Sequence, residues 1–98
     1  MVGKFDNTLR MTNGKLFVTG TLEQCAGSQV RIQAGVTQKG EVVSCHQTFT
    51  VTSDPFPWSM DVSAPFVAGT AAAASALATN QNGSGQPFPW NEANIAIA

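Results

Sequence analysis

Lys15-Leu-Phe-Val-Thr-Gly-Thr-Leu-Glu-Gln-Cys-Ala-Gly-Ser-Gln-Val-Arg-Ile-Gln-Ala-Gly-Val-Thr-Gln-Lys-Gly-Glu-Val-Val-Ser-Cys-His-Gln-Thr-Phe-Thr-Val51 is the stretch on which the fold turns. Apolar and polar residues alternate along it with period two, the pattern of a strand buried on one face. Leu16, Val18 and Leu22 share a face against Thr19, Thr21 and Glu23. Val30, Ile32, Ala34 and Val36 alternate with Gln29, Arg31, Gln33 and Gly35. Val43, Cys45, Phe49 and Val51 oppose Ser44, His46, Thr48 and Thr50. Lys39-Gly40 suits a tight hairpin, and with Ala26-Gly27-Ser28 as a second connection the stretch reads as an antiparallel meander. Gly20 falls on the inward face, which predicts a bulge or a close backbone approach.

Working outward, Thr12-Asn-Gly-Lys15 is a second hairpin signal, because Asn13-Gly14 accepts positive φ at both central positions. Leu9 to Thr12 is the short strand ahead of it. Thr52 to Pro57 is rich in strand breakers, and Trp58, Met60 and Val62 then alternate with Ser59, Asp61 and Ser63. Phe66 to Asn80 fits two forms. Ala71 to Ala78 has high helix propensity, yet it carries no charge and no amphipathic stripe. The favoured reading is a strand with Thr70, Ala72, Ala74, Ala76 and Ala78 on one face. Asn80 to Gln86 reads as a turn, and Asn91 to Ala98 as a closing strand with Ile95 and Ile97 inward. About seven strands with turn signals every 8 to 12 residues is the pattern of a two-sheet antiparallel sandwich.

The 98 residues make one domain, 1–98. Charged residues are 11%, against about 25% in an average soluble domain; Ser, Thr, Asn and Gln carry the polarity. This balance points to a secreted or cell-surface protein, with any signal peptide upstream of Met1. A formal net charge of -1 provides no basic stripe for nucleic acid or for anionic lipid. Phe66 to Ala78 is too short and too rich in Gly, Thr and Ser to cross a bilayer. Two cysteines twenty positions apart, Cys25 and Cys45, are expected to form a disulfide in such a domain, two buried thiols being the alternative. The bridge would add about 3 kcal/mol.

Val18 to Ala78 resembles small immunoglobulin-like sandwich domains of secreted actinobacterial proteins. The resemblance is carried by Cys25-Ala-Gly27, the Val30/Ile32 alternation, Val36-Thr-Gln38, Cys45 ahead of Phe49-Thr-Val-Thr52, and Phe66-Val-Ala-Gly-Thr70 before the alanine-rich strand. It implies an extracellular immunoglobulin-like fold with a disulfide and no chemistry of its own. The chain has no tryptophan between its cysteines and no tyrosine, so the antibody-type Cys-Trp-Cys core and tyrosine corner are absent. The bridge would run either between sheets or from the strand end at Cys25 to a neighbouring strand.

Catalysis is poorly supported. His46 is the only histidine, on an outward strand face; Glu23, Glu41, Asp54 and Asp61 are not forced together by any spacing. No metal or cofactor is expected: zinc lacks paired-cysteine spacing, and the Asn80, Asn82, Ser84 loop lacks a carboxylate for calcium. A Lys-Asn isopeptide from Lys4 or Lys15 to Asn94 beside Glu23 is a weak option. The most informative motif is a repeat, Pro55-Phe-Pro-Trp58 and Pro87-Phe-Pro-Trp90. In one reading Phe56, Trp58, Phe88 and Trp90 fill or seal the core behind strand-starting prolines. In the other they form an exposed platform that stacks on sugar rings or docks a protein. The expected function is a non-enzymatic structural or protein-interaction module, with a carbohydrate-binding module using Trp58 and Trp90 as the alternative.

Overall fold

The computed structural model describes residues 2–80 and 87–98. Eight strands occur among them: β1 (Val2–Phe5), β2 (Thr8–Thr12), β3 (Lys15–Glu23), β4 (Gln29–Gln38), β5 (Glu41–Thr50), β6 (Phe56–Ser63), β7 (Ala72–Asn80) and β8 (Phe88–Ile97). The described residues contain no helix. Both anticipated hairpins form. Asn13 and Gly14 have φ of 52° and 78°, and Lys39 and Gly40 of 51° and 81°. Positive φ at both central residues is the turn whose twist matches two antiparallel strands. It places Thr12 opposite Lys15 and Gln38 opposite Glu41.

The hydrogen-bonded path runs β1-β3-β2-β8-β7-β4-β5, with β6 on the other edge of β3. One antiparallel group is built on β3. β1 and β2 share its first edge in tandem, and β6 lines the second from Lys15↔Ser63 to Leu22↔Phe56. The other group is β5-β4-β7-β8, also antiparallel. A short parallel pair, Thr8↔Ala96 and Leu9↔Ile97, joins them. The expected meander therefore breaks after Glu23. β3 and β4 are not ladder neighbours, and Cys25 to Ser28 carries the chain from one group to the other. Alternation fixes which face of a strand is apolar but not which strand lies beside it.

One apolar cluster gathers the inward faces of both groups: Leu16, Val18 and Leu22 of β3, Val30, Ile32, Ala34 and Val36 of β4, and Trp58 and Met60 of β6. Each fully buried Leu, Ile or Val contributes about 1.5–3 kcal/mol. The alanine-rich segment is a strand, with Ala72, Ala74, Ala76 and Ala78 buried and the intervening residues exposed or half-buried. Helix propensity loses here to pairing on both sides, with β4 and β8. The small side chains also leave room for the rings beside them, Ala76 facing Trp90 and Ala78 facing Phe88.

The expected disulfide is absent: Cys25 and Cys45 are unbonded thiols, the first buried and the second half-buried. The register explains why. Gly27 N–H donates to the Val51 carbonyl at 2.8 Å, which holds Cys25 near the end of β5. Cys45 lies six positions earlier on that extended chain, about 20 Å away at ~3.3 Å per residue. A disulfide tolerates a Cα separation of at most about 7 Å. Burial raises the pKa of both thiols, with Asp54 adding to the effect at Cys25 and Asp61 at Cys45.

A polar anchor that the sequence did not announce holds the 64–71 connection. Gln38 is only 4% exposed. Its Nε2 donates to the carbonyls of Val67 (2.9 Å) and Thr70 (2.8 Å), and its Oε1 accepts from Val67 N–H at 2.8 Å. The side-chain amide thus behaves as an extra peptide group at the end of β4, pairing three backbone groups of the connection.

Candidate functional site

The two Pro-Phe-Pro-Trp copies converge. β6 starts at Phe56 and β8 at Phe88, so each copy enters a strand of a different group and its tryptophan points inward. Trp58 is 2% exposed; Phe56, Phe88 and Trp90 are half-buried against the core. The tryptophan ring centroids lie 6.1 Å apart at 65°. Phe5 meets Trp58 edge-on at 5.7 Å, and Phe88 lies 5.9 Å from Trp90. The two edge-to-face pairs, Phe5–Trp58 and Trp58–Trp90, each add about 0.5–1.5 kcal/mol beyond area burial. This is the placement of the core-filling reading of the repeat; with Trp58 enclosed, no paired tryptophan faces reach solvent as the alternative platform would need. The alternation Trp58, Met60 on one face with Ser59, Asp61 on the other turns the indole inward.

Two glycines make space for these rings. A Cβ on Gly20 would run into the Lys4 carbonyl and lie 2.7 Å from the Trp58 ring; one on Gly3 would come within 2.5 Å of Trp90. This is the close approach anticipated at Gly20, and here the ring covers bare backbone. Neither indole N–H has a hydrogen-bond partner among the described residues although both are buried. An unpaired buried donor costs about 1–3 kcal/mol, so apolar and ring contacts must outweigh it.

The groups weighed for chemistry are dispersed. Asp54 accepts from Gln24 N–H at 3.1 Å. Asp61 pairs with Lys15 at 3.4 Å and Glu23 with Lys4 at 3.8 Å, both pairs being substantially exposed. Lys4 and Lys15 thus each meet a surface carboxylate, and Glu23 is not the buried acid that an isopeptide needs. His46 is exposed on β5 and no hydrogen bond joins it to a serine or carboxylate among the described residues. No group of three or more His, Cys, Asp or Glu side chains gathers among them. Asn80 Nδ2 approaches Ser28 Oγ at 3.4 Å; Asn82 and Ser84 lie outside the described residues.

Two surface features remain. The outer face of the β5-β4-β7-β8 group has a cross-strand row of small or short polar residues, Ser44, Gly35, Ser75 and Asn91. Two adjoining shallow depressions follow this row. The second feature is the outer edge of β5. β5 ladders only with β4. Because Gln38 and Glu41 flank a two-residue turn, they form a hydrogen-bonded pair, and pairs alternate from there. Val42, Ser44, His46, Thr48 and Thr50 therefore aim their N–H and C=O groups away from β4, at an edge that has no ladder partner, although β6 runs close to it and Phe49 meets Phe56 edge-on at 6.2 Å. Val42 is 66% exposed.

Two other edges are blunted. β6 carries Pro57 and Asp61, and β1 is four residues long with Lys4 inside it. β5 has ten residues, no proline, and Glu41 as its only acidic or basic residue besides His46. Proteins ordinarily shield a long edge with charge, proline or cover. Sequence reading located β5 but not its position, since an edge is a property of topology. In comparisons with known proteins, no family model, no curated protein and no solved structure matches this chain.

Proposed function

We propose that this chain is an immunoglobulin-like, two-layer β-sandwich that works as a non-enzymatic protein-interaction module through the free edge of β5. The tandem β1/β2 edge on β3, β6 opposite it, and the β5-β4-β7-β8 order are consistent with two facing layers; the parallel β2–β8 pair would be the chain's step between them. The observation that carries the functional reading is the edge of β5 beyond β4, which has no ladder partner and no proline, so that its outward backbone groups are left for an incoming strand. Low charge content supports a secreted or cell-surface setting, and that setting now rests on composition alone.

Residue-resolved hydrogen exchange in dilute protein tests this. Amides of Val42, Ser44, His46, Thr48 and Thr50 should exchange fast, while those of Val43 and Cys45, bonded to β4, stay protected. Slow exchange at the outward set in a monomer would mean that the edge is covered, and the reading would fail. Soluble polysaccharide fragments provide the comparison for the carbohydrate alternative. Shifts of the Gly35, Ser75 and Asn91 resonances on titration would favour a glycan over a strand.

A further inference from the structure

We infer that a notch in the outer face of the β3 group binds a small zwitterion with an apolar side chain, an α-amino acid or a ligand of the same chemistry. The notch lies on the edge of β3 away from β6 and is independent of the β5 reading. It begins as a fault in the ladder. Phe5 stands opposite Gly20 and Arg10 opposite Phe17, so residues 6–9 face only Val18 and Thr19. Asp6 N–H still donates to the Thr19 carbonyl at 2.9 Å. Thr8 and Leu9 then leave β3 for Ala96 and Ile97 of β8, and Leu9 turns fully into the core. The outer surface is left with a cavity of about 410 Å³, lined by Asp6, Thr8, Arg10, Phe17 and Thr19. Small-ligand pockets run from about 300 to 1,000 Å³.

The lining differs from the rest of this face. Phe17 sits among polar neighbours, half-buried, outside the core cluster and with no second ring against it among the described residues. The nearby charges are paired, Lys4 with Glu23 and Lys15 with Asp61. Asp6 and Arg10, the two at the notch, form no ion pair with each other or with any other described residue. One cation, one anion and one aromatic ring therefore share a cavity. A ligand carboxylate meets Arg10 through charge-assisted bonds, which the guanidinium fork can make in pairs. The ligand's ammonium meets Asp6, and its apolar side chain covers Phe17. A neutral sugar would use the ring and leave both charges without counterparts; a simple ion would answer only one of them. Asp6, Thr8 and Arg10 are exposed, so binding is weak, with a dissociation constant of about 1 mM for a ligand of this size.

L-Phenylalanine titrated into the full chain, followed by amide resonances, tests this. Shifts should gather at Thr8, Arg10, Phe17 and Thr19, with the β5 amides unmoved. 3-Phenylpropionate keeps the carboxylate alone and phenethylamine the ammonium alone. Each should bind about three- to fivefold more weakly than phenylalanine, the worth of one exposed ion pair. Arg10→Gln should weaken phenylalanine by the same factor and leave phenethylamine unchanged. Asp6→Asn should weaken phenylalanine and leave 3-phenylpropionate unchanged. Phe17→Thr should weaken all three. These side chains lie outside the core, and unshifted amides in β4 and β7 mark each variant as folded. No shifts up to about 20 mM phenylalanine, or shifts indifferent to both charge substitutions, overturn the assignment. So does either single-charge probe binding as tightly as phenylalanine, which would make the notch a simple ion site. Methyl β-glucoside moving the same amides at lower concentration than phenylalanine overturns it in favour of a sugar.

Discussion

Replacing Gln38 with alanine would cut the 64–71 connection loose from β4. Three hydrogen bonds are lost, two donated by Nε2 and one accepted by Oε1. At about 1 kcal/mol net each, the sum is about 3 kcal/mol. Val67 is exposed, so its freed groups can reach water, which lowers the expected loss to about 2–3 kcal/mol. For a domain of this size that corresponds to a fall of about 8–24 °C in melting temperature. Gln38→Met keeps most of the volume and removes the polar contacts; it should cost nearly as much as alanine. Chemical denaturation gives the free energies, and hydrogen exchange should show the Val67 amide losing protection while the β4–β5 hairpin keeps its own. A loss under about 0.5 kcal/mol with Val67 still protected would refute the assignment of that side chain as the anchor.

Gly20→Ala should destabilise by about 2–4 kcal/mol, because the new methyl meets the Lys4 carbonyl and Trp58 in an overpacked corner; a urea midpoint within error of the parent would contradict the contact. Melting temperature should be the same with and without reductant, and thiol titration of denatured, unreduced protein should count two groups. Because burial raises both thiol pKa values in the folded state, the unfolded chain deprotonates first. This contribution to stability is complete below the ordinary thiol pKa of about 8.5 and declines as pH rises towards the folded values. Stability measured from pH 8 upward should therefore fall, and a Cys25→Ala, Cys45→Ala double variant should fall less steeply. Tryptophan emission should be blue-shifted, with the Trp58 component shielded from iodide; full quenching would place that ring outside.

Much of the secondary structure was legible in the sequence because burial on one face writes itself as alternation. Val30, Ile32, Ala34 and Val36 are all buried, as are Leu16, Val18 and Leu22, and the Asn13-Gly14 and Lys39-Gly40 turns follow from their φ requirements. β1 escaped notice because four residues carry too little pattern. The thiol pairing failed for a different reason: two cysteines on apolar positions share an interior without sharing a height along it. The site was half legible. The repeated Pro-Phe-Pro-Trp motif marked aromatics that belong together, but only the register of β6 on β3 and of β8 on β7 shows that they meet inside. The Gln38 anchor and the open β5 edge left no local signature, since each depends on what a distant segment does.

The face-to-edge contact of Trp58 and Trp90 has an optical consequence. Their transition dipoles are close enough to couple, so the native protein should display an excitonic couplet in circular dichroism that either indole alone would lack. Since the two rings come from β6 and β8, which belong to separate ladders, the couplet reports the docking of those ladders rather than the formation of either. Its kinetics would separate strand pairing from closure of the interior without any added label.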